Sequence, residues 1–311
     1  MTALPPTVTA PGVRGAPRTG RTAWTAVGLV LAAVIVAIWI VAVVHQQFNG
    51  SVIVRSATQT FSGEVTRVDI SVTDGPVAVQ GGALGPVRVF TTASSSSTVL
   101  PTDIEHLRKG TLTLRSTCPG TWAGICTRGY VVHVPDHVAV SVTDRTGPVE
   151  VIGTGGDVTV DAGDGPVRLQ QVGAVKATSG TGSITVIQAT GSVSLTAANG
   201  PITVAGVAGA FTADAATGSV TATGLSSPTT AVSADDGDVI LRYDSVPTRV
   251  VASSGTGAVN VAVPPGSGPY DVQTTAVTGR TVSAVPSDPA ADDVIQATSA
   301  NGDVTVGFAS G

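Results

Sequence analysis

Charge is scarce in this chain: only 12% of its residues are Asp, Glu, Lys or Arg, and the formal net charge is −5. Lysine occurs twice, at Lys109 and Lys176. That excludes nucleic acid as a partner, because a phosphate backbone is held by a basic footprint. Aromatic residues make up 4% and are scattered, so no platform for stacking sugar rings is in view. Cysteine is confined to Cys118 and Cys126, in the segment CPGTWAGIC, with no histidine nearby to complete a metal-ligand set. An even pair in a segment read as extracytoplasmic favours a disulfide. No G-x-S-x-G, H-E-x-x-H, phosphate-loop or dinucleotide-binding motif occurs.

The remaining candidates for chemistry have simpler readings. His133 and His137 flank Pro135 and Asp136 in HVPDH, where a base with an orienting carboxylate is conceivable. Pro and Asp are ordinary turn residues, and the turn is the preferred reading. Asp157, Asp161 and Asp164, and again Asp235, Asp236 and Asp238, crowd beside glycines. They could offer oxygen ligands to calcium, but Asp next to Gly is also plain turn chemistry. No catalytic residue, cofactor or metal is expected.

What the chain has in abundance is a repeated phrase. From Gly147 onward a glycine is followed by alternating aliphatic and small polar residues: GPVEV, GDVTV at Gly156, GPVRL at Gly165, GAVKA at Gly173, GSITV at Gly182, GSVSL at Gly191, GPITV at Gly200, GAFTA at Gly209 and GSVTA at Gly218. The interval is about nine residues, pairing into turns of about eighteen. Alternation puts Ile184 and Val186 on one face of a strand and Thr185 on the other. A unit this small cannot shield its own apolar face, so it must stack on copies of itself. The fold class expected is therefore all-β, a β-solenoid (β-helix) of about eleven to thirteen coils. The glycines are expected to supply positive φ at the corners.

Beyond Gly218 the period lengthens, through GDVIL at Gly237, GAVNV at Gly257 and GDVTV at Gly302. The extra text, including VPPGSGPY and VPSDPAADD, is expected to form loops. Between about Phe61 and Asp144 the same pattern recurs with longer insertions. At the C-terminus Phe308 could fold over the open core, or that end could associate with another molecule end to end.

The other strong signal is Ala23 to Val44, an uncharged, mostly aliphatic run long enough to cross a bilayer as one transmembrane α-helix. Arg14, Arg18 and Arg21 precede it without an acidic residue, and the next basic residue is Arg55. The positive-inside rule then puts the N-terminus in the cytoplasm and the rest outside the plasma membrane. A cleaved signal peptide fits less well, since the run is too long and His45 to Phe48 offer no small-x-small site. The domains are thus a disordered tail at 1–22, the membrane helix at 23–44, a juxtamembrane linker at 45–60 and the solenoid at 61–311. With three basic residues in the tail, the part beyond carries 13 basic against 21 acidic residues, net −8.

The G-[SDP]-[VI]-[TRS]-[VL] units behind one N-terminal membrane helix resemble the bacterial adhesin-like β-strand repeat proteins of the DUF4097 type, over roughly residues 61–308. The resemblance implies a right-handed β-helix-like ectodomain with an adhesin-like role, and it supplies no catalytic residues. The Cys118 to Cys126 insertion departs from the pattern.

The expectation is a single-pass bacterial surface protein, not an enzyme, whose solenoid is a scaffold for binding an envelope component or a protein partner. Loops carried on a rigid scaffold commonly hold recognition, so the loop around Trp122 and the loop from Pro264 to Tyr270 are the candidate contacts. Two alternatives stay open. A polysaccharide-acting β-helix enzyme would need converging carboxylates or a carboxylate and arginine set, for which Arg168 with Asp164 and Arg242 with Asp244 are the available pairs. A signalling ectodomain would use residues 1–22 to reach a cytosolic partner.

Overall fold

Strands form where aliphatic and polar residues alternate. In Ile184–Ala189, Ile184 and Val186 are fully buried and Thr185 between them is partly exposed. The computed structural model describes residues 53–96, 101–118 and 126–309, and throughout them the chain is all-β, with no helix. Val52–Gly311 makes one compact unit. The tail, the apolar run at 23–44 and Trp122 lie outside the described residues.

The strands build two sheets, of thirteen and twelve strands. Each coil contributes one strand to each sheet, and eleven coils can be followed among the described residues. In the first sheet Val149, Val167, Ile184, Ile202, Val220, Val239, Val259 and Val304 stack in one parallel register. In the second, Val158, Val175, Val193, Phe211, Thr230 and Val250 do the same. The side chains between the sheets form one continuous apolar core, as expected of a repeat whose units bury themselves against neighbours.

Stack order departs from chain order at both ends. The coil of Arg67–Val72 and Val77–Gln80 lies between the coil of Thr111–Thr117 and Cys126–His133 and that of Ala139–Asp144 and Val149–Ile152. At the far end the last strands in sequence, Val294–Asn301 and Val304–Phe308, lie between Arg249–Thr256 with Val259–Val263 and an outermost coil of Asp271–Thr278 and Thr281–Ser283. The text between Val263 and Val294, expected as loop, therefore supplies a coil of its own. The first and last coils of the repeat are held by ladders on both sides, which opposes the fraying usual at chain ends. The outermost coil, not Phe308, covers the core. Its inward positions are Val272, Thr274 and Ala276, opposite Ile295, Ala297 and Ser299, with Thr281 and Ser283 opposite Val304 and Val306. Small and hydroxylated side chains thus end the apolar column, as a terminal repeat requires.

The expected positive φ is found at the corner glycines Gly200, Gly218, Gly237, Gly257 and Gly302, but a second cause acts at other corners. Gly147, Gly165 and Gly182 are absent from the positive-φ positions. A Cβ on Gly165 would lie 1.8 Å from the carbonyl oxygen of Gly147, and one on Gly182 would lie 1.9 Å from that of Gly165. Backbone approaches backbone along this corner, and any side chain would separate the coils. The nearby carboxylates tie coil to coil: Thr178 Oγ1 donates to Asp161 at 2.8 Å, Thr181 Oγ1 to Asp164 at 3.0 Å, and the Ala258 amide to Asp238 at 2.8 Å. Arg168 pairs with Glu150 of the adjoining coil at 3.7 Å, rather than with Asp164.

Residues 53–60, expected as linker, are also in the sheet. Ile53–Phe61 pairs antiparallel with Val87–Ser95 along its whole length, and Val87–Ser95 pairs antiparallel with Cys126–His133. The second sheet ends in the antiparallel pair of Thr111–Thr117 and Thr102–Arg108.

Candidate functional site

The apolar columns change character at this end of the stack. In the second sheet the column through Val142, Ile70 and Leu114 ends at Glu105, and the adjacent one through Val72 and Ser116 ends at Asp103. In the first sheet Val132 and Val89 are followed by Gln59, and Arg128 and Ala93 by Arg55. The first sheet continues two strands past the final coil, the second only one. The inward face of Ile53–Phe61 therefore has no strand opposite it among the described residues. Between the overhang and Thr102–Arg108 lies a cavity of about 520 Å³ lined by Arg55, Ser56, Ala57, Gln59, Thr91, Ala93, Pro101, Asp103, Glu105 and Arg128.

Arg128 organises the cleft. Its Nη2 lies 2.7 Å from Asp103 Oδ2 and 3.4 Å from Glu105 Oε1, and its guanidinium sits 5.7 Å from the centre of the Tyr130 ring. The Glu105 side chain is only 8% exposed. Burial pushes its carboxyl above the usual range, the Arg128 charge opposes this, and Asp103 adds to the rise. Glu105 Oε2, Arg128 Nε and the Tyr130 hydroxyl are buried without a hydrogen-bond partner. Unpaired buried polar atoms are costly. Glu105 and Arg128 line the open cavity, so a ligand bearing both donors and acceptors could pair with the polar atoms it reaches there. Arg55 has no ion pair among the described residues.

None of these four charged residues stood out in the sequence, although one signal was present. In TDIEHLR the alternation places Asp103 and Glu105 on the face of Leu107, and Ile104 on the other face. Ile104 is 54% exposed. A strand whose polar side faces the interior and whose apolar side faces water marks the end of a core.

The residues that did stand out are placed elsewhere. Cys118 and Cys126 form the expected disulfide, closing the connection into Cys126–His133 two residues before Arg128. Trp122, inside that bridge, is outside the described residues. Tyr270 is corrected as a contact residue: its side chain is fully buried in the core, so it is unavailable to a partner, whereas Pro265 and Pro269 of the same loop are exposed. HVPDH is the turn between Cys126–His133 and Ala139–Asp144.

All three tyrosines of the chain, Tyr130, Tyr243 and Tyr270, are fully buried. Burial raises each phenol above its ordinary value, Tyr130 up to about 12. Because the folded values lie above the unfolded one, these groups contribute stability below pH about 10 that is lost as pH rises through the folded values. In an alkaline titration phenolate absorbance should stay flat past pH about 10 and appear together with loss of the strand circular dichroism signal. A phenolate midpoint near 10 with the fold intact would contradict the burial of these rings.

The Toastrack DUF4097 family model matches residues 65–310. Among solved structures, one described as a "putative adhesin" from Parabacteroides distasonis is 12% identical, with 82% of this chain and 98% of that one covered and a TM-score of 0.43. A "putative adhesin" from Bacteroides fragilis is 10% identical, with 82% and 97% covered and a TM-score of 0.42. A "putative lipid binding protein" from Parabacteroides distasonis is 8% identical, with 83% and 97% covered and a TM-score of 0.35. No curated protein matches the chain. By the match over its repeat region, this chain belongs to the Toastrack DUF4097 family.

Proposed function

We propose that the protein is a non-catalytic bacterial surface protein, anchored by a single transmembrane helix at residues 23–44 with its N-terminus cytoplasmic, whose right-handed solenoid carries an adhesin-like binding site in the polar cleft at its N-terminal end. The observation that supports this best is the cleft itself. The apolar core ends in two arginines and two carboxylates around a cavity of about 520 Å³, a size typical of ligand sites. The outward Thr185, Thr203 and Thr221 stack in register as a flat ladder, which offers far less to distinguish one partner from another.

Anchoring and orientation are tested by expressing the full chain with a C-terminal tag in bacteria. The tag should sediment with membranes and be removed by protease added outside the cells, and deletion of residues 23–44 should release it. Binding is tested by passing the full-length chain in detergent over immobilised envelope extracts, where the membrane helix does not itself retain the chain and Glu105→Ala should reduce retention about tenfold. Unchanged retention would remove the cleft from recognition.

The enzyme reading gains one observation, the pair of carboxylates in the cleft. Glycoside hydrolysis needs one of them free to give a proton and the other free to attack or activate water. Here both are bound by the same guanidinium, so no turnover of a polysaccharide panel is expected. Turnover abolished by Glu105→Gln would establish the enzyme instead.

A further inference from the structure

The two sheets do not end level. Past the last coil the first sheet adds Val87–Ser95 and Ile53–Phe61, and the second adds only Thr102–Arg108. Among the described residues one strand position is therefore vacant, beside Thr102–Arg108 and across the cavity from Ile53–Phe61. The outer edge of Thr102–Arg108 pairs with no strand among the described residues, and an open edge is a template for another chain. It contains no proline or glycine to block pairing. Apolar side chains gather at this end, with Val54 65%, Ile104 54% and Phe90 41% exposed.

We propose, building on the reading of the cleft as the recognition site, that the edge of Thr102–Arg108 takes up one extended peptide segment of another protein as an added strand. Its backbone continues the twelve-stranded sheet, and its outward side chains lie beside Ile104. Its inward side chains enter the cavity, an acidic one against Arg55 and a hydrogen-bond donor against Glu105 Oε2. Affinity in such strand addition comes from main-chain hydrogen bonds and specificity from the alternate side chains. The charges support this assignment: Arg128 is already shared by Asp103 at 2.7 Å and Glu105 at 3.4 Å, which leaves Arg55 without an ion pair among the described residues. Glu105 is more than nine-tenths buried with Oε2 unpartnered at the cavity.

A second copy stacked end to end fits less well. At the opposite end both sheets finish on the same coil, Asp271–Thr278 with Thr281–Ser283. A level end set against an uneven one leaves the vacant position unfilled, whereas a single strand fills it.

The full-length chain in detergent is titrated with a panel of labelled short peptides that alternate valine with polar residues, one carrying aspartate and lysine at successive inward places. That peptide should bind and slow amide hydrogen exchange in Thr102–Arg108. Arg55→Glu should weaken it at least tenfold, and a partner peptide with arginine in place of the aspartate should restore binding to the variant. Binding no tighter than that of a scrambled peptide, no effect of Arg55→Glu, or protection confined to Asp271–Thr278 would overturn the proposal. Protection of Thr102–Arg108 that rises with protein concentration and needs no peptide would assign the edge to a second copy instead. If Glu105→Ala lowers retention of the detergent-held chain on immobilised envelope extracts while no peptide protects the edge, the peptide class falls and the cleft stands. If Glu105→Ala has no effect either, both fall.

Discussion

Gly165→Ala is expected to destabilise the fold by about 3 kcal/mol or more, at or beyond the upper end for overpacking. The added methyl group would meet the Gly147 carbonyl oxygen at 1.8 Å, its carbon at 2.5 Å and Pro148 N at 3.1 Å. All three are backbone atoms, so no rotamer change relieves the overlap, and the two coils must separate. Separation weakens the ladder between Val149 and Val167 and opens the core beside it. Gly307→Ala is the matched control, since a Cβ there meets nothing within 4 Å, and its effect should stay within about 0.5 kcal/mol. Denaturant unfolding of both variants checks the pair. Equal midpoints would show that these glycines serve local conformation rather than close packing of coils.

Arg128→Met should cost about 2–4 kcal/mol at neutral pH, somewhat below the range for breaking a fully buried ion pair because Asp103 retains some solvent contact. The variant keeps most of the aliphatic packing but leaves Asp103 and Glu105 facing each other without their shared cation. The folded pKa of Glu105 then rises further, in the direction burial already gives it. A group whose folded pKa is raised is best tolerated below its unfolded pKa and costs stability as pH increases through the folded value. The deficit of Arg128→Met relative to the native chain should accordingly be largest near neutrality and narrow below pH about 4, where Glu105 takes up its proton. Adding Glu105→Gln should recover part of the loss at neutral pH. A deficit that does not change with pH would assign Arg128 to packing over Tyr130 instead of charge pairing.

The middle of the molecule was legible in the sequence because there the repeat is the structure. Ile184, Val186, Ile202, Val204 and Val220 are spaced by the strand period along the chain and by the coil period across it, and only stacked strands satisfy both. The ends were not legible for the same reason. Nothing in GPVAV or the final GDVTV distinguishes a strand stacked in chain order from one inserted between two others, since the inward valines are identical in either place. Residues 271–283 read as loop because a capping coil must be polar, and its threonines and serine remove the signal that identifies a strand in the core. Positive φ at corners such as Gly200 and Gly218 was legible, whereas the close approach at Gly147, Gly165 and Gly182 was not: sequence shows that a side chain is absent, while the carbonyl that excludes it belongs to the adjoining coil. The cleft escaped notice because Arg55, Asp103, Glu105 and Arg128 come from three separated strands, and only the uneven ending of the sheets brings them together.

The most direct test is equilibrium binding of the full-length chain, held in detergent, to immobilised bacterial envelope extracts, comparing Arg55→Glu in the cleft with Thr203→Lys on the flat ladder. Retention should fall about tenfold for Arg55→Glu and remain at the native level for Thr203→Lys. The opposite order would place recognition on the faces of the stack and contradict a binding site at its open end.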